Sequence, residues 1–311
     1  MPDIVISEFM DDRAISAVLA GYDVLYDPDL VDQPDRLCDA LADARAIVVR
    51  NRTQLRGRIL DAAPRLKVVG RLGVGLDNID LDACKARGVA VCPATGANDI
   101  AVAEYVIAAA LALVRGAYAS TSAVAAGAWP RNSLIGGEIH GRRLGLIGYG
   151  AIARETAARA RSLGMSIAAF DPYLDRASDH WRSVEPQSLE ELLQTADVVS
   201  LHTPLTPETR RMINAAAIAR MKSTAVIVNA ARGGVIDETA LIDALRAKKI
   251  AGAALDVFEE EPLSASSGAR FSGLDNLILT PHIAGVTDES NVRVSRVTLE
   301  NVRAALKGPV G

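Results

Sequence analysis

Four histidines, His140, His180, His202 and His282, are the side chains of this chain whose ordinary pKa lets them exchange a proton near neutral pH. His180 lies in a polar stretch beside Trp181, His140 precedes a strand pattern, and His202 sits in the turn Leu201-His202-Thr203-Pro204. His282, in Thr280-Pro281-His282-Ile283-Ala284-Gly285, follows the last of a series of strand patterns, on the rim where open α/β sheets present ligands. Two other segments end strands on that rim: Val228-Asn229-Ala230-Ala231-Arg232-Gly233-Gly234 and Leu255-Asp256-Val257-Phe258-Glu259-Glu260-Glu261-Pro262. An arginine there offers a planar, permanently charged fork for a carboxylate, and a glutamate beside the histidine would orient the imidazole and favour its protonated form. Together they make an acid–base pair with an anion clamp.

A second kind of chemistry is written in Leu144-Gly145-Leu146-Ile147-Gly148-Tyr149-Gly150-Ala151-Ile152-Ala153, a G-x-G-x-x-A pattern between a strand and a helix. Gly148 permits a tight turn, Gly150 lets backbone approach a pyrophosphate, and the small Ala153 lets the helix pack closely on its strand. The next strand pattern ends in Phe170-Asp171-Pro172, where the carboxylate of Asp171 can accept hydrogen bonds from an adenosine ribose. An acid at that position repels a 2′-phosphate, so the cofactor expected is NAD rather than NADP.

These residues need a frame. Short β-branched runs alternate with helical patterns from end to end, the mark of an α/β protein with doubly wound parallel sheets. Strands are predicted over residues 3–7, 23–26, 46–50, 66–71 and 89–92, then over 143–147, 166–171, 197–202, 225–229, 251–257 and 277–280. Helices are predicted over 54–63, 81–87, from Asn98 and Asp99 toward Tyr118, after the capping box Ser188-Leu189-Glu190-Glu191, and over 288–306 with Gly308-Pro309 as the stop. Residues 264–268 read as a surface loop. The six later strands make a complete dinucleotide fold, so the expected domains are a nucleotide-binding domain over 99–284 and a substrate-binding domain from 1–98 plus 285–311, both Rossmann-like or flavodoxin-like, with the reaction in the cleft between them.

Composition narrows the function classes. A hydrophobic content of 50% supports two cores, and 34 Lys+Arg against 38 Asp+Glu leaves a net charge of -4, with no broad positive field for nucleic acid. The longest apolar run, Tyr105 to Val114, is too short to span a bilayer, and the start carries no basic leader pattern, so a membrane partner is not expected. Cys38, Cys84 and Cys92 have no metal-type or C-x-x-C spacing, which leads us to expect reduced thiols, a cytoplasmic protein and no metal site.

The motifs resemble those of the D-isomer-specific 2-hydroxyacid dehydrogenases, closest to the phosphoglycerate dehydrogenase branch without its regulatory domain. G-x-G-x-x-G, N-x-x-R-G, D-V-F-x-x-E-P and P-H-x-x-G occur in order along nearly the whole chain, with Ala153 in place of the third glycine. The resemblance implies a hydride transfer between NAD and C2 of a small anionic 2-hydroxy or 2-keto acid. It puts the catalytic roles on Arg232, Glu261 and His282, the E-P pairing selecting Glu261 over Glu259 and Glu260. Cofactor contacts are implied for Gly148, Tyr149, Gly150, Ala151, Ile152, Asp171, His202, Thr203, Pro204, Ala230, Arg232 and His282, with Asp256 facing the nicotinamide carboxamide. Ala151, often basic in relatives, leaves the work of holding the pyrophosphate to backbone amides.

For the substrate the resemblance implies the turn around Gly73, Val74 and Gly75, with Arg50 and Asn51, besides Arg232 and His282. The glycine turn is also compatible with a purely structural role. Arg50 and Arg52 either are solvated or pair with nearby Asp residues, or together read a second anion at C3, which phosphate, sulfonate or carboxylate would each supply; a 3-phosphoglycerate-like acid is then the substrate expected, with sulfolactate as an alternative. Alternatives on the same scaffold are a glyoxylate or hydroxypyruvate reductase and, in another class, an NAD-sensing transcriptional corepressor. Formate oxidation is disfavoured, because that branch has Gln where Glu261 stands. The region Ala126-Gly127-Ala128-Trp129-Pro130-Arg131 resembles the segment through which relatives form homodimers, Trp129 being either an interface anchor or packed within its own subunit. With the chain stopping at Gly311, serine feedback through an appended module is not expected.

Overall fold

A computed structural model describes residues 2–308. The chain forms two compact units, 1–98 with 286–311 and 99–285.

The first unit is a five-stranded parallel sheet of β1 (Ile4–Ile6), β2 (Val24–Tyr26), β3 (Ala46–Val49), β4 (Val68–Arg71) and β5 (Ala90–Pro93), in the order β2-β1-β3-β4-β5. Successive residues of a strand face opposite ways, and here both faces are buried. Ile4, Ile6, Val48 and Val68 pack with Val294, Leu299 and Val302 of the closing helix Asp288–Lys307. Val5, Ile47, Val49 and Val69 pack with Leu30, Leu37, Leu41 and Leu60 on the other side. Each such side chain removed from water stabilises the unit by about 1.5–3 kcal/mol. The closing helix lies so near the sheet that a Cβ on Gly70 would sit 2.5 Å from Val302 Cγ2.

The second unit carries seven parallel strands: β6 (Arg143–Ile147), β7 (Ser166–Phe170), β8 (Glu185–Pro186), β9 (Val198–Leu201), β10 (Val226–Asn229), β11 (Gly252–Leu255) and β12 (Leu277–Leu279). Their order, β12-β11-β10-β9-β6-β7-β8, reverses direction between β6 and β9. That reversal is the topological switch point at which such sheets bind ligands beyond their carboxyl ends. The helix Asp99–Arg115 covers one face through Val106 and Ala109 against Val228 and Ala254. Helix Leu189–Thr195 opens with the expected capping box, Ser188 and Glu191 each bonding the other's backbone.

Three expectations are corrected. The edge strand β8 was not anticipated, so the second sheet has seven strands rather than six. The helix from Asp99 stops at Arg115 rather than running toward Tyr118, because Gly116 takes a left-handed conformation (φ 68°) and starts a 3-10 turn, Ala117–Ser120. The stretch read as a loop at 264–268 contains a helical turn, Ala265–Gly268, capped by Ser264. Pro309, expected to help stop the last helix, lies outside the described residues, and Gly308 (φ 78°) ends it.

Candidate active site

At the switch point, β6 runs into Gly148, whose φ of 86° and whose neighbour exclude a side chain: a Cβ there would lie 2.7 Å from the carbonyl oxygen of His202. Gly150 is the N-cap of helix Ala151–Ser162 and supplies no side-chain cap, and no acid sits in the first turn. The first amides, those of Ala151 and Ile152 among them, therefore keep the positive end of the helix unneutralised. A Cβ on Gly150 would meet nothing within 4 Å, so the backbone is open to approach there. Ala153 is fully buried, packed with Leu144 and Leu146.

Asp171 is pinned beside this turn: Tyr149 N donates to its Oδ2 at 2.8 Å and Tyr173 N to its Oδ1 at 2.9 Å. Tyr149 is buried and its ring stacks on Trp181, 5.6 Å between centroids. The hydroxyl oxygen of Thr203 is buried without a hydrogen-bond partner among the described residues, and Thr203 Cγ2 is 3.1 Å from where a Gly148 Cβ would be. A polar ligand seated on the turn would answer that unmet need. A clash-free glycine, uncapped amides, an acid at the strand end and an orphaned hydroxyl fit the pyrophosphate and ribose of a dinucleotide.

His202 is not an acid–base group at neutral pH. Its Nε2 lies 3.0 Å from Ser200 Oγ, and desolvation pushes its pKa down from 6.5 to about 4. Pro204, next in the turn, accepts a bond from Thr209 Oγ1 at 2.7 Å through its carbonyl.

The turn after β10 is shaped by buried Asn229, whose Oδ1 accepts from Ala231 N at 3.1 Å and whose Nδ2 donates to Arg232 O at 2.9 Å. This closed bracket is the physical content of the N-x-x-R spacing. It leads from Ala230 into Arg232, whose guanidinium donates to Ala231 O at 2.6 Å. Gly233 then passes against the loop after β11.

That loop brings Glu261 to His282. Glu261 Oε1 accepts from Phe258 N at 2.8 Å, and its Oε2 lies 2.7 Å from His282 Nδ1. Partial burial pushes the Glu261 pKa up, but the hydrogen bonds from His282 and Phe258 and the charges of His282 and Arg232 outweigh it, leaving the carboxyl below its ordinary 4.5. Glu261 is thus an anion that fixes the ring, and with Nδ1 engaged, proton exchange with a substrate falls to Nε2. Glu259 is taken up elsewhere, its carboxylate facing Arg211 at 3.4 Å. Buried Glu238, which sequence reasoning missed, accepts from Glu259 N at 2.6 Å and pairs with Arg270, tying this loop to the helix Glu238–Arg246. A glutamate one residue after an N-cap Asp looks like any solvated first-turn acid, so its sequence carried no signal of burial.

Asp256, directly after β11, is bound into the chain on its own account. Its carboxylate is 1% exposed and serves the 280–284 turn: Oδ1 accepts from Thr280 Oγ1 at 2.6 Å and Ile283 N at 2.8 Å, and Oδ2 accepts from Ala284 N at 2.8 Å.

In the first unit, Arg50 and Arg52 part company. Arg52 pairs with Asp32 at the surface, whereas the Arg50 guanidinium donates to Asn291 Oδ1 at 3.0 Å and Phe9 O at 3.4 Å. Burial pushes the Arg50 pKa down and the charge of Glu8 opposes it. Glu8, also missed, is buried and takes the amides of Arg50 (2.8 Å), Arg52 (3.1 Å) and Thr53 (2.9 Å), so the backbone donors of this loop are already committed to an internal anion. Its only sequence signal is an acid two residues after a wholly apolar strand. Asn51 is exposed between the two arginines. In the turn carrying Val74 and Gly75, Gly73 has φ 135° and the Arg71 side chain folds over it, 2.1 Å from where a Cβ would stand. Among the described residues no group of three or more His, Cys, Asp or Glu could hold a metal ion.

Residues 107–284 match the family model for the D-isomer specific 2-hydroxyacid dehydrogenase, NAD binding domain. An (S)-sulfolactate dehydrogenase from Chromohalobacter salexigens is 51% identical over 98% of this chain and 99% of its own. A D-3-phosphoglycerate dehydrogenase from Methanocaldococcus jannaschii is 40% identical over 88% of this chain, and the match spans only 52% of that relative's length. Among solved structures, D-lactate dehydrogenase from Aquifex aeolicus, complexed with NAD and lactic acid, superimposes with a TM-score of 0.84 at 30% identity, covering 98% of this chain and 95% of that one.

Proposed function

The chain belongs to the D-isomer specific 2-hydroxyacid dehydrogenase family, and from that premise we propose that it interconverts a 3-sulfonated 2-hydroxy acid of the sulfolactate type and its 2-keto acid with NAD. NAD supplies the hydride acceptor or donor. His282 Nε2 takes the C2 hydroxyl proton as the C2 hydride leaves and the C2=O bond forms, and returns it in reduction. Glu261 holds the imidazole through Nδ1 and balances the imidazolium. Arg232 holds the substrate carboxylate and polarises the carbonyl oxygen. The observation that carries the acid–base reading is the 2.7 Å contact between His282 Nδ1 and the ionised Glu261.

For the substrate, the support is the near-complete mutual coverage at 51% identity with the sulfolactate enzyme, against half-length matches to phosphoglycerate dehydrogenases. Arg50 is the cation assigned to the C3 anion, since Glu8 has taken the neighbouring amides. Phosphoglycerate is the second reading, favoured by the same arginine. Initial rates with sulfopyruvate, 3-phosphohydroxypyruvate, hydroxypyruvate, glyoxylate and pyruvate, followed by NADH absorbance, decide between them: sulfopyruvate should have the highest kcat/KM, and a higher value for the phosphorylated acid would overturn the assignment.

We also propose a homodimer built on the segment after Gly116. Tyr118, Trp129 and Ile135 are 75%, 76% and 81% exposed, so Trp129 is not packed within its own subunit. Light scattering of the purified chain and of Trp129→Asp tests this, the variant being expected to run as a monomer.

A further inference from the structure

His282 is one of three described non-glycine residues with positive φ, at 53°. Histidine tolerates this left-handed conformation better than most side chains, and its surroundings here fix it. The imposition is visible: His282 N donates to Asp256 O at 2.8 Å, and the next two amides donate to the Asp256 carboxylate. Asp256 is held in turn by the Thr280 hydroxyl at 2.6 Å, and Thr280 Oγ1 lies 2.6 Å from the hydroxyl of Tyr105, on helix Asp99–Arg115. The direction of this chain follows from donor counting. The Thr280 hydroxyl has one proton, and Asp256, accepting from two amides as well, is an acceptor; Thr280 therefore donates to Asp256, and Tyr105 must donate to Thr280. Burial raises the Tyr105 pKa, which keeps that proton in place.

We propose that Tyr105 is a positioning residue for the reaction: its hydroxyl, acting through Thr280 and Asp256, holds the 280–284 turn in the shape that presents His282 to Glu261. The helix Asp99–Arg115 thereby fixes the acid–base group without touching substrate. A one-way file of hydrogen bonds ending on a carboxylate strengthens each link. The inference rests on His282 being the acid–base residue.

Four variants test it: Tyr105→Phe, Thr280→Val, Thr280→Ser and the double variant Tyr105→Phe/Thr280→Val. Tyr105→Phe should lower kcat about tenfold, with the KM for NADH unchanged and the thermal midpoint lowered by no more than about 4 °C. Thr280→Val should do at least as much, Thr280→Ser should stay within about twofold of the parent, and the double variant should be no slower than Thr280→Val, because the tyrosine then has nothing to act through. Parental kcat in Tyr105→Phe, multiplicative losses in the double variant, or a loss that tracks lowered melting would each overturn the proposal. Should Tyr105→Phe fail to fold, the Thr280 pair still decides: equal rates for valine and serine would refute it. The underlying assignment fails separately, only if His282→Ala keeps its rate.

Discussion

A Cβ built on Gly233 would lie 1.7 Å from the carbonyl oxygen of Phe258 and 2.9 Å from the amide nitrogen of Glu259. The turn that carries Arg232 and the loop that carries Glu261 thus meet backbone to backbone, with room for hydrogen only. Gly233→Ala must push the two apart, at a cost of roughly 1–3 kcal/mol, and a displacement near 1 Å is enough to lower kcat/KM by about 100-fold. Gly234 is the control: its φ is 77°, but its nearest neighbours, the Leu205 methyls, are 3.5 Å away. Gly234→Ala should cost only about 1–2 kcal/mol of backbone strain and keep most activity. Urea denaturation and steady-state rates on both variants check this; equal activity in the two would show the close approach to be irrelevant.

The acid–base pair predicts separable effects. His282→Ala should lower kcat by about a thousandfold, and Glu261→Gln by about 10–100-fold, because the amide can still accept from Phe258 N but no longer carries the charge that balances the imidazolium. Neither should change NADH affinity by fluorescence titration, since proton transfer and cofactor binding are distinct contributions. Loss of NADH binding in both variants would mean that the two residues serve mainly to hold the cofactor rather than to move the proton.

His202 predicts an acid weakness. Its folded pKa of about 4 lies below the ordinary 6.5, so the folded state keeps the imidazole neutral while the unfolded chain takes up a proton. The sign is that of a depressed pKa: the stability it contributes is fully present above pH 6.5 and is lost as pH falls from 6.5 through about 4. The carboxylate of Glu261, also depressed, starts to matter only below its ordinary 4.5. Urea midpoints should therefore fall between pH 6.5 and 4.5 in the parent and stay flatter in His202→Gln. Parallel curves would show that His202 is not the group responsible.

How much of this was legible beforehand follows from what a pattern can encode. Strands buried on both faces appear as apolar runs, so β6, Arg143–Ile147, buried from Leu144 to Ile147 behind its half-buried first arginine, was found to the residue. β8 was invisible because Glu185 and Pro186 are exposed and only two residues long. The ends of G-x-G-x-x-A and N-x-x-R-G can be read from sequence because glycine and asparagine there satisfy local backbone demands, as Gly148 and Asn229 do. Glu8, Glu238 and Asp256 could not be read that way: each is a carboxylate whose role depends on amides from segments 20 or more residues distant, Arg50, Glu259 and Ile283 respectively. Likewise Arg50 and Arg52, two residues apart, look equivalent until the structure sends one to Asn291 and the other to Asp32.

That divergence separates the two arginines experimentally. Arg52 is bound to an exposed partner, and an exposed ion pair contributes about 0–1 kcal/mol, so Arg52→Ala should leave kcat/KM for every keto acid within about twofold. Arg50 is held by Phe9 and Asn291 in a more desolvated setting, where a charge meets an anion with less screening. Arg50→Met should lower kcat/KM for sulfopyruvate by about 100-fold while changing that for glyoxylate, which has no C3 group, by less than about threefold. Arg50→Lys should recover only part of the loss, since an ammonium cannot bridge two oxygens of a sulfonate as the planar fork does. Equal losses on glyoxylate and sulfopyruvate would mean that Arg50 supports the fold of the loop rather than reading the C3 anion, and the substrate assignment would then lose its cation.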